Sequence, residues 1–350
     1  MSHFHPLRVK HIEHITPNSV TVSFEIPNDL KDEFRFTPGQ YINIRKELNG
    51  KELRRSYSIC SSAGNGDLTI GIKKVDSGLF SQFANNELKS GDVLDIYPPL
   101  GHFTFDPAES RNKNIAAFAA GSGITPIMSI MKSVLEETDG NFILVYGNKS
   151  AAETMFHKEI TELIAEYPER LKVYFIYSQE QDGESMFGRV ERSTVNFIIN
   201  NKHKDTTFDA YYLCGPEAMI HTVSDTLTEK GITKEMIRFE LFTTADADEE
   251  DLSSIPEGKT KVKVIVDDEE FEFIMDHKER VLDAALKEDI DAPYSCQGGI
   301  CSSCMAKLKQ GKVEMVKNQI LTDSELEEGL ILTCQSHPLT DTIVVDYDDI

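Results

Sequence analysis

The chain's six cysteines are Cys60, Cys214, Cys296, Cys301, Cys304 and Cys334, and the last four have the spacing C-x4-C-x2-C followed by one remote cysteine. Irons bridged by sulfide take thiolate donors, and three donors from one tight loop plus one from a distant strand can enclose two irons, the arrangement of a [2Fe-2S] centre. Gly298 and Gly299 suit that loop, because residues without a Cβ let the backbone wind closely and turn amide N–H groups toward anionic sulfur. On the residues alone, buried inert thiols or a structural zinc site are the alternatives. Zinc sites usually pair two short C-x2-C hairpins, and here only Cys301 and Cys304 have that spacing. A cluster moves electrons singly, so another part of the chain must supply them.

The segment Arg54-Arg55-Ser56-Tyr57-Ser58-Ile59-Cys60-Ser61-Ser62 places a cation, an aromatic ring and hydroxyls on one strand. Tyr57 can stack on a planar ring system, Ser58 can hydrogen-bond a ring nitrogen, and Arg55 can pair with a diphosphate. Further on, Gly78-Leu79-Phe80-Ser81 opens a helix whose free N–H groups and dipole attract phosphate. A plain barrel strand and a plain capped helix would read the same way. The two signals inform only together.

Gly121-Ser122-Gly123-Ile124-Thr125-Pro126 follows a short apolar strand and precedes a helix, which is the context in which a glycine turn approaches a dinucleotide. The third glycine of the usual fingerprint is missing, and a simple βα turn is the alternative. Gly147-Asn148-Lys149-Ser150, after the next strand, has no carboxylate at its tip to hold a ribose 2′-hydroxyl. Lys149 and the hydroxyls suit a 2′-phosphate instead, a lean toward NADPH over NADH. Cys214-Gly215-Pro216 ends a further strand, at the edge where open α/β sheets bind ligands. Cys214 reads either as a nicotinamide contact or as a small buried side chain.

These residues need elements to hold them. Residues 19–26 alternate apolar and polar side chains, and similar runs at 41–44, 67–75 and 93–97 are separated by glycine turns, so residues 1–108 are expected to form an antiparallel β-barrel. Strands at 115–120, 142–146, 173–177 and 210–213, with helices at 126–136 and 152–165, imply an α/β domain with a parallel sheet over residues 109–243. Residues 244–258 are dense in carboxylates without apolar period and read as an acidic linker. Beyond it, strands at 261–266 and 271–275 joined across Asp267-Asp268, a helix at 281–288 and strands near 305–308 and 342–347 make a small mixed α+β domain over 259–350.

The chain has 350 residues and a net charge of −23. From residue 243 onward there are 26 acidic and 10 basic residues, a net of −16. A nucleic-acid binder is excluded on this balance, since phosphate backbones are gripped by clustered cations. An anionic membrane surface would repel the chain, and no run of about 18 apolar residues could span a bilayer. With no secretory leader at Met1-Ser2-His3-Phe4-His5, a cytoplasmic location is expected, where clustered cysteines serve metal or redox chemistry.

Taken together, Arg55-Ser56-Tyr57-Ser58, the Gly121 turn, Cys214-Gly215-Pro216 and the four C-terminal cysteines resemble the ferredoxin-NADP reductase superfamily fused to a plant-type ferredoxin. More narrowly, Tyr146-Gly147-Asn148-Lys149-Ser150, Ser178-Gln179-Glu180 and Pro293-Tyr294-Ser295-Cys296 are similar to the reductase subunits of phenylacetyl-CoA epoxidases. The resemblance implies a flavin barrel, a nucleotide domain and a β-grasp ferredoxin. It implies FAD held by Arg55, Tyr57, Ser58, Gly78 and Ser81, with Ser58, Thr125 and Cys214 nearest the reacting rings. A nicotinamide nucleotide would lie along Gly121, Gly123, Thr125, Cys214 and Gly215, its adenosine end near Lys149 and Ser178. Glu240-Leu241-Phe242 resembles the segment that covers the flavin.

The family's logic is that NADPH gives a hydride to FAD, which releases electrons singly to the cluster and on to a separate di-iron oxygenase component. No Asp or Glu stands three residues before any of the ten histidines, so the E-x-x-H signature of di-iron bundles is absent and a partner is implied. Two departures bear on the nucleotide: superfamily members that prefer NADPH often have Arg where this chain has Gln179, and the family commonly has Arg where it has Lys149. A reductase of another aromatic or steroid hydroxylase is an alternative within the class. A zinc-stapled interaction module is the alternative outside it.

Overall fold

The computed structural model describes residues 3–76, 78–242 and 255–350. Most of the expected acidic linker, residues 244–254, lies outside the described residues. The chain divides into two compact units, one ending at Phe242 and the other running to Ile350.

The first unit begins with β1 (His5–Thr16), β2 (Ser19–Glu25), β3 (Tyr41–Leu48), β4 (Lys51–Ser58), β5 (Leu68–Lys73) and β6 (Val93–Leu100), in the order β4-β3-β6-β1-β2-β5. All pairings are antiparallel. Ile59, just past β4, bridges Ile70 of β5, so the two ends of the sheet meet and close the barrel. Its interior is filled by Leu7, Val22, Ile42, Ile44, Ile70 and Ile96. Strand β1 is absent from the sequence reading because a register shift between Val9 and His11 leaves Lys10 and His11 both exposed and breaks the alternation. Helix α1 (Leu79–Asn86) packs Phe80 and Ala84 into the same core.

Next come β7 (Asn114–Ala120), α2 (Ile124–Glu137), β8 (Asn141–Asn148), α3 (His157–Glu166), β9 (Leu171–Tyr177) and β10 (Met186–Phe187), then α4 (Arg192–Val195), β11 (Ala210–Cys214), α5 (Glu217–Thr228) and β12 (Ile237–Glu240). The six strands are parallel in the order β10-β9-β8-β7-β11-β12. From β7 the chain builds outward to one side and then returns to place β11 on the other, so the topological switch point lies between the C-terminal ends of β7 and β11. The expected helix over 152–165 is instead a short 3-10 turn, Ala151–Glu153, followed by α3. Phe156 between them takes φ 59° and buries its ring in the core, and this packing interrupts the helix.

Arg170 secures the far end of α2, its guanidinium donating to the carbonyls of Val134, Leu135, Thr138 and Gly140 at 2.8–3.1 Å. A cation on a helix's last carbonyls satisfies both their lone pairs and the dipole. Barrel and parallel sheet share one compact unit, stitched by Ser129 Oγ donating to Ser61 O (2.7 Å) and Lys132 Nζ to Cys60 O (3.1 Å).

The second unit contains β13 (Lys259–Val266), β14 (Glu269–Asp276), α6 (Val281–Lys287), β15 (Met305–Gln310) and β16 (Val313–Met315), then α7 (Asp323–Glu327), β17 (Leu330–Leu332), β18 (Ser336–Pro338) and β19 (Thr342–Asp346). Its main sheet runs β14-β13-β19-β15-β17, with β13 and β19 parallel and the other pairs antiparallel, while β16 and β18 form a separate ribbon. Asp267 and Asp268 both take positive φ in the two-residue turn expected between β13 and β14. Their N–H groups donate to the Asp348 carboxylate at 3.0 and 2.8 Å, tying the C-terminus to the turn. Among the described residues no helix is long and apolar enough to cross a membrane.

Candidate functional site

Strand β4 delivers Ser58, β7 runs into the Gly121 turn, β11 ends at Cys214 and β12 ends at Glu240. Cys214 is in register with Ala119 on one side and Glu240 on the other. Ser58 Oγ donates to Glu240 Oε2 at 3.3 Å, so a barrel strand and a sheet edge 182 residues apart meet at one point. Gly123 is required here by close packing, because a Cβ on it would collide with the Cys214 carbonyl and the Gly215 nitrogen. Gly121 takes φ 55°, which favours glycine. Thr125 Oγ1 donates to the Ser122 carbonyl at 3.0 Å, and its methyl group lies against Gly71 of β5.

Burial sets the protonation of this cluster. Glu240 is 6 % exposed, and loss of solvation pushes its carboxyl up to about 8 against a smaller opposing effect of the Ser58 hydrogen bond. The fully buried Cys214 thiol is pushed up by burial and then by Glu240. Both groups are therefore neutral at pH 7, and the point where Ser58, Cys214 and Glu240 converge holds exchangeable protons without net charge. Cys60 likewise is buried and pushed up to about 12 by desolvation, with Sγ donating to Thr69 O, so it is an inert core thiol.

The remaining flavin candidates lie along the barrel. Tyr57 is half-buried with its ring centroid 5.6 Å from that of Phe80, and Arg55 is exposed, its guanidinium donating to the Arg54 carbonyl at 2.7 Å. Arg55 makes no ion pair among the described residues, so its charge is available to an anion. Gly78 is the N-cap of α1, while Ser81 Oγ donates to Gly78 O (3.0 Å) and accepts from Val75 N–H (3.1 Å), holding the turn before the helix. Phe242 is half-buried against the nucleotide-sheet core, two residues beyond Glu240.

At the other end of the crevice, Ser178 and Gln179 donate backbone N–H groups to the Asn148 and Lys149 carbonyls (3.0 and 2.9 Å), and Glu180 accepts from Ala151 N–H at 2.7 Å. Lys149 is exposed and Ser178 half-buried beside it. Two residues here escape the sequence reading. Lys73, on β5, brings Nζ within 3.8 Å of where a Gly121 side chain would begin, and burial lowers its pKa. Phe187, on the edge strand β10, is 61 % exposed beside Tyr177. A lysine in an alternating strand and an aromatic residue in a polar loop carry no sequence signal of their own. A separate groove of about 350 Å³, lined by Tyr211, His203 and Phe208, contains none of the candidate residues.

The four clustered cysteines converge in the second unit. Cys304 and Cys334 are fully buried, Cys301 nearly so, and Cys296 half-buried. Gly298 N–H donates to Cys296 Sγ at 3.3 Å, and the neighbouring Cys301 and Cys334 thiols hold Cys296 toward the thiolate, while hydrogen bonding with Cys296 and burial push Cys301 and Cys334 up. Four crowded thiols cannot all ionise without an added positive charge, and iron supplies one. Among the described residues no group of three or more His, Cys, Asp or Glu is drawn together around a single ion, and the choice between zinc and an iron-sulfur cluster falls to the 2Fe-2S family match given below. A two-iron cluster asks for two thiolates per iron, which this donor set fits.

Gln297 and Gly299 take positive φ, and a Cβ on Gly299 would press on the Lys317 carbonyl. Gln335, buried and missed by the sequence reading, donates Nε2 to the Gln297 (3.0 Å) and Cys334 (2.8 Å) carbonyls and so staples the loop to the remote cysteine.

The comparisons with known proteins follow this geometry domain by domain. The chain matches the oxidoreductase FAD-binding domain over residues 6–105, the oxidoreductase NAD-binding domain over 118–225 and the 2Fe-2S iron-sulfur cluster binding domain over 264–339. It is 35% identical to one of the subunits of the 1,2-phenylacetyl-CoA epoxidase of Escherichia coli K12 over 351 residues, covering 99% of both chains. The chain belongs to the ferredoxin-NADP reductase superfamily, in its branch fused to a [2Fe-2S] ferredoxin.

This reductase family also includes the ferredoxin reductase component of 3-ketosteroid-9-alpha-monooxygenase from Mycolicibacterium smegmatis, 31% identical over 99% of this chain and 98% of that one. The solved structure of phthalate dioxygenase reductase has the same fold, with a TM-score of 0.60 at 21% identity over 98% of both chains. As a ferredoxin-fused reductase, the protein is an electron-transfer oxidoreductase that uses FAD, a pyridine nucleotide and a [2Fe-2S] cluster, as its sequence leads one to expect.

Proposed function

We propose that this reductase passes electrons from NADPH to a separate di-iron oxygenase component acting on phenylacetyl-CoA. The observation that carries the reading is the meeting of Ser58, Cys214 and Glu240 at the switch point of the parallel sheet, in a chain that matches the epoxidase component along its whole length. Residues 1–108 form the FAD domain, 109–243 the nucleotide domain, 244–258 a linker and 259–350 the ferredoxin. The reducing cytoplasm, where neighbouring thiols stay free of disulfides, is the compartment that suits such a chain.

Bound FAD would accept a hydride from the nucleotide, and the cluster would take the electrons onward one at a time. The chain's own residues do the rest. Tyr57 offers a ring face, Arg55 an exposed guanidinium for the diphosphate, and Gly78 and Ser81 the helix start beside it. Ser58 and Thr125 orient the reacting rings, and Cys214 and Glu240, both neutral, exclude charge and water from them. Gly121, Gly123, Gly215 and Lys73 take the nucleotide's pyrophosphate side, while Lys149, Ser178 and the exposed face of Phe187 take its adenosine. Phe242 closes the crevice. Cys296, Cys301, Cys304 and Cys334 ligate the cluster.

The test is an anaerobic titration with NADPH and then NADH, followed by addition of the oxygenase component of a phenylacetyl-CoA epoxidase. Flavin and cluster absorbance should bleach in one sequence, at lower NADPH than NADH, and NADPH oxidation should then depend on phenylacetyl-CoA. The steroid-hydroxylase relative, matched over nearly the whole chain, makes a second acceptor class the competing reading. Turnover with a steroid hydroxylase and none with the epoxidase would establish it.

A further inference from the structure

Tyr146, on β8, is fully buried, and its hydroxyl donates to the Gly121 carbonyl at 2.9 Å. That carbonyl belongs to the one residue of the βα turn held at positive φ. The same hydroxyl faces the Asn148 side chain and the Met155 backbone, both in the segment that leads to the adenosine end of the crevice. Asn148 Nδ2 is itself buried, and the Tyr146 hydroxyl is a group it faces. One hydroxyl thus touches the turn at the pyrophosphate end and the loop at the adenosine end, although 25 residues separate Tyr146 from Gly121.

We propose that Tyr146 is a positioning residue that fixes the two ends of the nucleotide crevice relative to one another, so that a dinucleotide meets both in register. The inference rests on the nucleotide lying along the Gly121 turn, as argued above. Removing the hydroxyl takes from the half-buried Gly121 carbonyl the bond that ties it to β8, and the turn is no longer held to that strand. Tyr146 stands on β8, with β7 between it and Cys214 on β11, so the loss is expected on nucleotide affinity rather than on the transfer step. Asn148, whose buried Nδ2 faces the same hydroxyl, belongs to the same unit.

The experiment compares Tyr146→Phe, Asn148→Ala and the double variant in the full chain loaded with flavin and cluster, reading steady-state reduction of an artificial acceptor by NADPH. Tyr146→Phe should raise KM for NADPH about tenfold with kcat changed less than about twofold, at parental flavin content and thermal midpoint. Asn148→Ala should also raise KM, and the double variant should raise it less than the product of the two. A parental KM in Tyr146→Phe overturns the proposal, as does a fall in kcat equal to the rise in KM or a loss of flavin. Gly123→Ala separates the two levels. If it too leaves KM unchanged, the nucleotide does not lie on this turn; if it raises KM while Tyr146→Phe does not, only the coupling fails.

Discussion

The two redox sites are built on opposite plans. The proposed cluster pocket would draw three of its four ligands from nine consecutive residues, and its loop is wound by positive φ at Gln297 and Gly299. The crevice at Ser58 takes one residue from each of several strands, none adjacent in sequence, and fixes them by register across a barrel edge and a parallel sheet. Their electrostatics differ as well. Among the cysteines one thiolate, Cys296, is favoured while Cys301 and Cys334 are held protonated, so further ionisation there asks for a metal, whereas Glu240 and Cys214 are both buried into neutrality. A site of the first kind fails when one ligand is lost; a site of the second kind fails when its strands shift.

The sharpest break of this comparison is Cys334→Ser. Cys334, the proposed remote ligand, is fully buried, so its loss should abolish cluster assembly, measured as iron and sulfide content, and stop transfer to any one-electron acceptor served by the ferredoxin. Flavin bleaching by the nucleotide should persist at the parental rate, because the residues proposed for the crevice all belong to the first unit. A variant that loses flavin reduction together with the cluster would show that the two sites are not independent.

Gly123→Ala attacks the other plan. The added methyl group meets the Cys214 carbonyl and the Gly215 nitrogen, backbone atoms that cannot step aside. Separating β7 from β11 by a fraction of an ångström to 1 Å should lower the rate of flavin reduction about 100-fold, while cluster content is unchanged. Rapid-mixing absorbance at the flavin band reads this directly, and a rate within threefold of the parent would show that the switch point tolerates expansion.

Glu240→Gln sharpens the electrostatic half of the contrast. The carboxyl's ordinary value is 4.5 and its folded value about 8, so below 4.5 both folded and unfolded chains hold the proton and its stabilising contribution is complete. From there to about 8 the unfolded chain ionises while the folded one does not, and stability falls as pH rises. The thermal midpoint of the flavoprotein should therefore drop between pH 5 and 8, and the glutamine variant should lose that part of the slope. Equal slopes in parent and variant would mean that Glu240 is ionised when buried.

How much of this was legible in sequence follows from the same contrast. The cysteine spacing is local, so the ligands and the enclosing loop can be read without a fold. Glycine turns and strand ends are also local, which is why Gly121, Gly123 and Cys214 stand out. The bond from Ser58 to Glu240 is not local, and Glu240 enters the reading only as part of a segment resembling a flavin cover. Lys73 and Phe187 are silent because their meaning lies in what the sheet places beside them. Gln335 is hidden in the same way, as a polar residue after a cysteine whose role depends on reaching Gln297. Strand β1 and the break at Phe156 are lost because a bulge and a buried ring override periodicity.

The smallest expected effect concerns nucleotide choice, where the sequence gives a lean rather than a lock. Gln179 is exposed, and its backbone N–H holds the Lys149 carbonyl, so its side chain lies on the same rim as that lysine. Glu180 accepts from Ala151 on the adjoining loop, so a carboxylate is present at this rim, though not at the tip of the strand after Gly147. Gln179→Arg adds a second cation beside Lys149. On an exposed rim an added ion pair is worth roughly 0.5–1 kcal/mol, or about two- to fivefold, in favour of the doubly charged 2′-phosphate. The ratio of kcat/KM for NADPH to that for NADH should rise by that factor at low salt and return toward the parental ratio in about 0.5 M salt, because a surface interaction is screened. A ratio that does not move at low salt would place the 2′-position away from Lys149, and with it the adenosine end of the crevice.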